Sequence, residues 1–119
     1  MKNLRLYRTT NTNAELLIEQ LESAKSFWTR AKGLLGRAGL SPNEALWIEP
    51  CNNIHTHFMR FSIDCIFLDR QMRIVKIAKN IRPFRFVGPY WKSNSVIEAN
   101  SGFADAKKLE VGDHLYVVS

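Results

Sequence analysis

Ile63-Asp64-Cys65-Ile66-Phe67-Leu68-Asp69-Arg70-Gln71-Met72-Arg73-Ile74-Val75-Lys76-Ile77-Ala78-Lys79-Asn80-Ile81 is the stretch on which the fold turns. Ile63 to Leu68 is short and dense in β-branched and aromatic residues, the composition that suits a pleated strand. Asp69 to Met72 is polar and reads as a turn. Arg73 to Ile81 then returns as a second strand, so the whole stretch is a hairpin centred near Arg70.

Working outward, Asn53 to Phe61 has the same strand-forming character, and Ala45-Leu46-Trp47-Ile48 is a short strand stopped by Pro50. Proline ends it because it has no N–H to give a ladder. Pro83, Gly88 and Pro89 make Arg82 to Lys92 a surface loop; Ser95 to Ala99 is a strand, and Gly112-Asp113 turns into the last one, His114 to Val118. Towards the start, Leu4 and Leu6 alternate with Arg5 and Tyr7, and Thr9 to Asn13 is a loop. Glu15 to Glu22 fits strand or helix, and is read as strand. One segment has a different period. Phe27, Trp28, Ala31, Leu34 and Leu35 share one face of a helix. Ser23 or Ser26 can cap its start, and Gly36 or Gly39 can end it before Pro42. The expectation is a mainly β domain, a β-sandwich or small barrel of about seven short strands with one packed amphipathic helix.

Composition narrows the class. A chain of 119 residues with 45% apolar residues is one domain, residues 1–119, with enough material for its own core. Metal and disulfides are not needed merely to fold it. The formal net charge of +6 favours acidic partners. That charge is uneven: Arg70, Arg73, Lys76, Lys79, Arg82, Arg85 and Lys92 fall in a stretch without Asp or Glu. The start, Met1 to Arg8, has charges throughout and no apolar h-region, and no window approaches a membrane span. With only Cys51 and Cys65, no disulfide framework is implied. A cytoplasmic protein with reduced thiols and no membrane insertion is the expectation.

Three blocks carry a resemblance. The first is Thr29-Arg30-Ala31-Lys32-Gly33-Leu34-Leu35-Gly36-Arg37. The second runs from Ile54-His55-Thr56-His57-Phe58-Met59-Arg60-Phe61 through Ser62-Ile63-Asp64-Cys65-Ile66-Phe67-Leu68-Asp69. The third is Val96-Ile97-Glu98-Ala99 with Gly102, followed by Gly112-Asp113. Together they resemble the domain-of-unknown-function 192 family of uncharacterised bacterial and archaeal proteins, over about residues 15–118. Lys32 stands where the family has Arg, and Phe58 where many members have Trp. The resemblance implies a β-sandwich-like domain. It implies no substrate, mechanism or cofactor, because the family's activity is not established.

The residues themselves offer four chemistries. His55 and His57, at i and i+2 of a strand, would share a face, as a two-histidine metal grip requires. Cys51, Asp64 or Cys65 could complete a transition-metal site, although no Cys-x-x-Cys pair is present. Asp64 lies in an apolar strand, where a carboxylate must find partners or lose its hydration without compensation. A tie to Arg30, Arg37 or Arg60 is the bland reading. An approach to Glu98 would instead raise one of the two carboxyl pKa values and make an acid. Cys51 or Cys65 beside a histidine would be a nucleophile, but a small cysteine in an apolar strand is more often inert core. Finally Arg82, Arg85, Tyr90, Trp91 and Lys92, with Phe84 and Phe86, combine cations and rings as single-stranded nucleic-acid binders do. Charge that merely protects a sheet edge is the alternative.

The reading drawn from these is a non-enzymatic ligand-binding or accessory domain. Its polar cleft is expected near His55, His57, Arg60, Asp64 and Glu98, and it takes no cofactor. Two rivals remain: an enzyme using a metal (His55, His57, Cys51) or a carboxylate in that cleft, and a nucleic-acid module using the 82–92 loop. A small anionic ligand or nucleic acid is the partner expected.

Overall fold

The computed structural model describes residues 4–24, 39–56 and 59–119. The helix expected around Phe27 to Leu35 lies outside those residues, as do His57 and Phe58. Nine strands are described: β1 Leu4–Thr9, β2 Ala14–Ala24, β3 Glu44–Ile48, β4 Ile54–His55, β5 Ile63–Leu68, β6 Ile74–Ile81, β7 Phe86–Val87, β8 Ser95–Asn100 and β9 Leu115–Val118. One short helix, α1, spans Phe103–Ala106. The fold is mainly β, as expected from sequence. Seven strands form one mixed sheet in the order β6-β5-β8-β3-β2-β1-β9, and β4 pairs with β7 in a small second sheet. Among the described strands, only β2 and β3 pair in parallel.

The hairpin read first is the β5–β6 pair. Its turn is built by Asp69, whose Oδ1 accepts from the N–H groups of Gln71 and Arg73, both at 2.9 Å. Short polar side chains favour such turns because they satisfy nearby backbone donors. The seven-stranded sheet is not a closed barrel, yet its two ends meet at one corner. Ile74 N donates to Asp113 O, Gly112 N to Ile74 O, and Leu115 N to Met72 O, at 2.8–2.9 Å. The chain between β8 and β9 lies along β6 and covers its edge: Ser101 bonds Asn80, and Lys79 pairs with Asp105 at 2.6 Å. Covering an edge this way removes a template for unwanted strand pairing.

Every residue of β5 is buried, and each face packs on its own apolar layer. Ile66 and Leu68 face a layer containing Leu6, Ile18, Leu21, Ile97, Phe103 and Leu115. Cys65 and Phe67 face another containing Leu46, Ile48, Ile54, Met59 and Val87. The first layer is closed by α1, whose Phe103 and Ala104 belong to it. The second is roofed by β4, β7 and the loops that join them. Arg8, half-buried, adds a clamp at the corner: it bonds Glu15, Asp113 and the carbonyls of Lys107 and Lys108.

Candidate functional site

Asp64 lies in an apolar strand where a carboxylate needs partners, and the structure supplies them. Asp64 has no solvent exposure. Ile63 pairs with Ile81 and Cys65 with Ala78, so two residues of β6, Lys79 and Asn80, oppose Asp64 alone. That is a β-bulge, which leaves a backbone group outside the ladder. Asn80 has a positive φ of 54°, and its N–H donates to Asp64 Oδ1 at 2.9 Å. The other oxygen, Oδ2, accepts from Ala104 N at 2.9 Å, capping the first turn of α1 from a distant strand. No side chain next to α1 in sequence caps it. Asp64 therefore fastens a bulge to a helix through two backbone donors. The tie imagined to Arg60 is not the one made, and Arg60 is exposed; Arg30 and Arg37 lie outside the described residues.

The register separates Asp64 from Glu98. Asp64 sits opposite Ala99, whereas Glu98 sits opposite Cys65 on β5 and Leu46 on β3. Paired residues share a face and adjacent ones do not. The two carboxylates thus point to opposite sides of the sheet, Asp64 to the layer closed by α1 and Glu98, also fully buried, to the layer roofed by β4 and β7. An open cleft lined by His55, Arg60, Asp64 and Glu98 together is not formed: two of the four have no exposure and they face apart. Among the described residues, no three of His, Cys, Asp and Glu stand close enough to hold a metal ion. Cys51 is half-buried with its thiol directed to Asn53 O at 3.0 Å, and Cys65 is buried.

The other side of the molecule carries the exposed chemistry. His55 pairs with Phe86 across the β4–β7 ladder, with ring centroids 6.3 Å apart, so it stands beside the basic loop and not beside Asp64. The loop is held by Thr56, which is fully buried. Thr56 Oγ1 donates to Arg82 O at 2.6 Å and accepts from Arg85 N at 3.0 Å. Its backbone N–H donates to Arg85 O, and its carbonyl accepts from Phe84 N. One residue thereby satisfies four backbone groups of the 82–85 turn, including Phe84 at a positive φ of 63°. Buried backbone groups must find such partners.

The far end of the loop is fixed just as firmly. Tyr90 N donates to Asn52 O at 2.9 Å, and its ring meets Phe67 edge-on at 4.8 Å. Lys76 lies over the Tyr90 ring, 5.7 Å from its centroid. Tyr90 is accordingly an anchor, not an open stacking surface. Gly88, at φ 97°, passes so close to Asn52 that an added Cβ would come within 2.7 Å of its carbonyl oxygen.

What this fixed loop displays is the point. Phe84, Phe86 and Trp91 are 66%, 75% and 82% exposed, far above what apolar rings on a packed domain need to be. Arg82, Arg85 and Lys92 are exposed among them. A recess of about 390 Å³ is lined by Asn80, Ile81, Arg82, Arg85, Phe86 and Val87. At the loop's other end, Ser93 and Asn94 join Pro50, Cys51, Asn52 and Asn53 around a second recess of about 300 Å³. Residues 70–97 contain no carboxylate to neutralise this face from within the segment. Of the sequence candidates, His55, Arg82, Arg85, Trp91 and Lys92 thus belong to the loop side, and Asp64 does not. Thr56 was missed, because a threonine that bonds backbone nearly thirty residues away leaves no local pattern.

Comparison with known proteins gives a consistent picture of kinship. The model of the DUF192 family, described as an uncharacterized ACR, matches residues 8–117. A UPF0127 protein of Thermococcus sibiricus is 32% identical over 112 residues, spanning 87% of this chain and 70% of that protein. A UPF0127 protein of Pyrococcus abyssi is 37% identical over 100 residues, spanning 79% of this chain and 82% of its own. Among solved structures, a Sinorhizobium meliloti protein named as a candidate transcription regulator superposes with a TM-score of 0.82. It covers 98% of this chain and 94% of its own at 19% identity, which speaks for the fold alone.

Proposed function

This chain belongs to the DUF192 family, and from that premise we propose that it is a binding module whose Arg82–Lys92 loop takes an anionic partner. One observation carries the reading: three cations and three aromatic rings are largely exposed on a loop that Thr56, Asn52 and Phe67 hold in place. A solvated, mobile basic loop would have to lose conformational freedom on binding. A loop fixed beforehand avoids much of that cost. Cations in a segment without carboxylates attract phosphate or carboxylate from a distance and pair with it on contact. Arginine suits the task because its planar fork binds two oxygens at once.

The fully buried Asp64 and Glu98 support the same division of labour, since neither can meet a solute without the sheet opening. No helix among the described residues is long and apolar enough to cross a membrane. A cytoplasmic setting, where phosphorylated partners abound, belongs to the proposal.

The test is binding of a short polyphosphate, followed by calorimetry at several salt concentrations. The intact protein is expected to bind, more weakly as salt rises. A variant with Arg82, Arg85 and Lys92 all changed to Gln is expected to melt like the parent and to lose the interaction. Equal binding by parent and variant would overturn the assignment of the loop.

A further inference from the structure

Anion binding alone accounts for the cations and makes no use of the exposed ring surface beside them. Exposing Phe84, Phe86 and Trp91 together forfeits apolar burial, and a purely ionic site has no use for them. The arrangement is also not a simple apolar patch, because Arg82, Arg85 and Lys92 interrupt it. Resting on the reading above, we infer that the partner is single-stranded nucleic acid, with unpaired bases stacking on Phe86 and Trp91 and phosphates held at Arg82 and Arg85.

Four features converge on that class. Ring faces accept any base, and cations between them neutralise the connecting phosphates. Arg82 and Arg85 line the same recess as Phe86, so ring and charge act on adjoining groups of one ligand. Thr56 Oγ1 bonds the backbone of both arginines, which fixes their spacing before any ligand arrives. At the loop's other end, a second recess is lined by Asn52, Asn53 and Asn94, the last only three residues along the chain from Trp91. Amide side chains offer both donors and acceptors, as base edges do. A duplex does not fit this description, because its bases are already stacked on one another and its surface offers the rings nothing to cover.

The experiment is fluorescence anisotropy with labelled eight-residue oligonucleotides of mixed sequence, as DNA and as RNA. Competitors are a duplex of the same sequence and polyphosphate of matched charge. Binding of either single strand is expected, with preference over both competitors. If three cations engage phosphates, affinity should fall roughly twentyfold between 50 and 200 mM salt. Phe86→Ala and Trp91→Ala should each weaken binding by about tenfold or more, while Trp91→Phe keeps most of it. Thermal melts of each variant establish that the fold is intact, which is expected because both rings lie outside the core.

Three results would go against the inference, and they are distinguishable. Polyphosphate binding as tightly as the oligonucleotides, with Phe86→Ala and Trp91→Ala unchanged, would overturn base stacking and leave the anionic reading standing. Duplex preferred over single strand would do the same. Binding of neither oligonucleotide nor polyphosphate would remove both readings, and would leave the exposed rings to a protein partner.

Discussion

The two faces of β5 differ more than their sequences suggest. On one, Asp64 is a carboxyl group inside an apolar layer, and each of its oxygens accepts one backbone N–H, from Asn80 and from Ala104. On the other, the layer of Cys65 and Phe67 supports β4, β7 and a loop whose side chains are largely exposed. The first face spends polar chemistry on holding the fold. The second, although it also buries Glu98, uses mostly apolar packing to hold polar and aromatic chemistry outward. A residue's unusual position in the sequence is therefore a guide to its constraint, and its exposure is the guide to what it can meet.

The largest expected effect concerns the closed face. Asp64→Asn keeps the shape but offers one acceptor where two donors converge, so its NH₂ confronts either Asn80 N–H or Ala104 N–H. Losing one charge-assisted bond and leaving a buried donor unmet should cost about 2–4 kcal/mol in urea unfolding. Binding by the folded protein should survive. An unchanged unfolding midpoint would mean that Asp64 is not the fastening described here.

Next in size is Gly88→Ala, which places a Cβ 2.7 Å from Asn52 O at a φ that side chains rarely adopt. A loss of about 1–3 kcal/mol is expected, together with weaker polyphosphate binding, since the loop must shift to make room. Stability lost without any change in binding would detach the loop's geometry from its function.

Thr56→Val sharpens the comparison further. It is nearly isosteric but removes the hydroxyl that joins Arg82 O and Arg85 N. About 1–2 kcal/mol of stability should go, from two bonds to neutral groups in a buried setting. The effect on binding should be larger in proportion than for Asp64→Asn, and that ratio, measured on both variants by calorimetry, is what separates the two faces.

The smallest effect belongs to Lys79, whose pairing with Asp105 raises its pKa by hydrogen bonding and then by charge attraction. A raised lysine pKa adds stability that is present at neutral pH and is lost only as the solution becomes alkaline enough to deprotonate the folded form. Because the pair is exposed, Lys79→Met should leave the neutral-pH midpoint within error. A large shift there would mean that the cover over the β6 edge depends on this contact.

Much of the architecture was legible because it rests on local patterns. Asp69 and the polar residues after it mark the β5–β6 turn, and dense apolar runs mark β3, β5 and β8. Glu15 to Glu22 was ambiguous for a physical reason: β1 and β2 pair with register shifts at Leu4–Leu6 and Leu6–Tyr7, so burial along β2 does not alternate simply. Helix α1 was invisible because four residues show no period and its cap comes from Asp64, forty residues away. Asn53 to Phe61 was read as a longer strand than the two residues of β4, because its bonds go to the 82–85 turn through Thr56 instead of to a ladder.

The candidate site was legible in parts. The need for partners at Asp64 followed from its apolar neighbours, but which groups would supply them depended on a bulge that no local spacing reveals. The cations and rings of Arg82 to Lys92 were visible as composition. That Tyr90 turns inward onto Phe67 while Trp91 turns outward depends on tertiary contacts alone.

The most direct measurement is an amide NMR titration of the isotopically labelled protein with short polyphosphate. Shifts confined to Arg82–Lys92 and the Asn52–Thr56 segment that supports it, with the Ala104 and Phe103 amides unmoved, are the expected result. Shifts centred on Ala104, Asn80 and their neighbours around Asp64, with the loop silent, would contradict the assignment of binding to one face and fastening to the other.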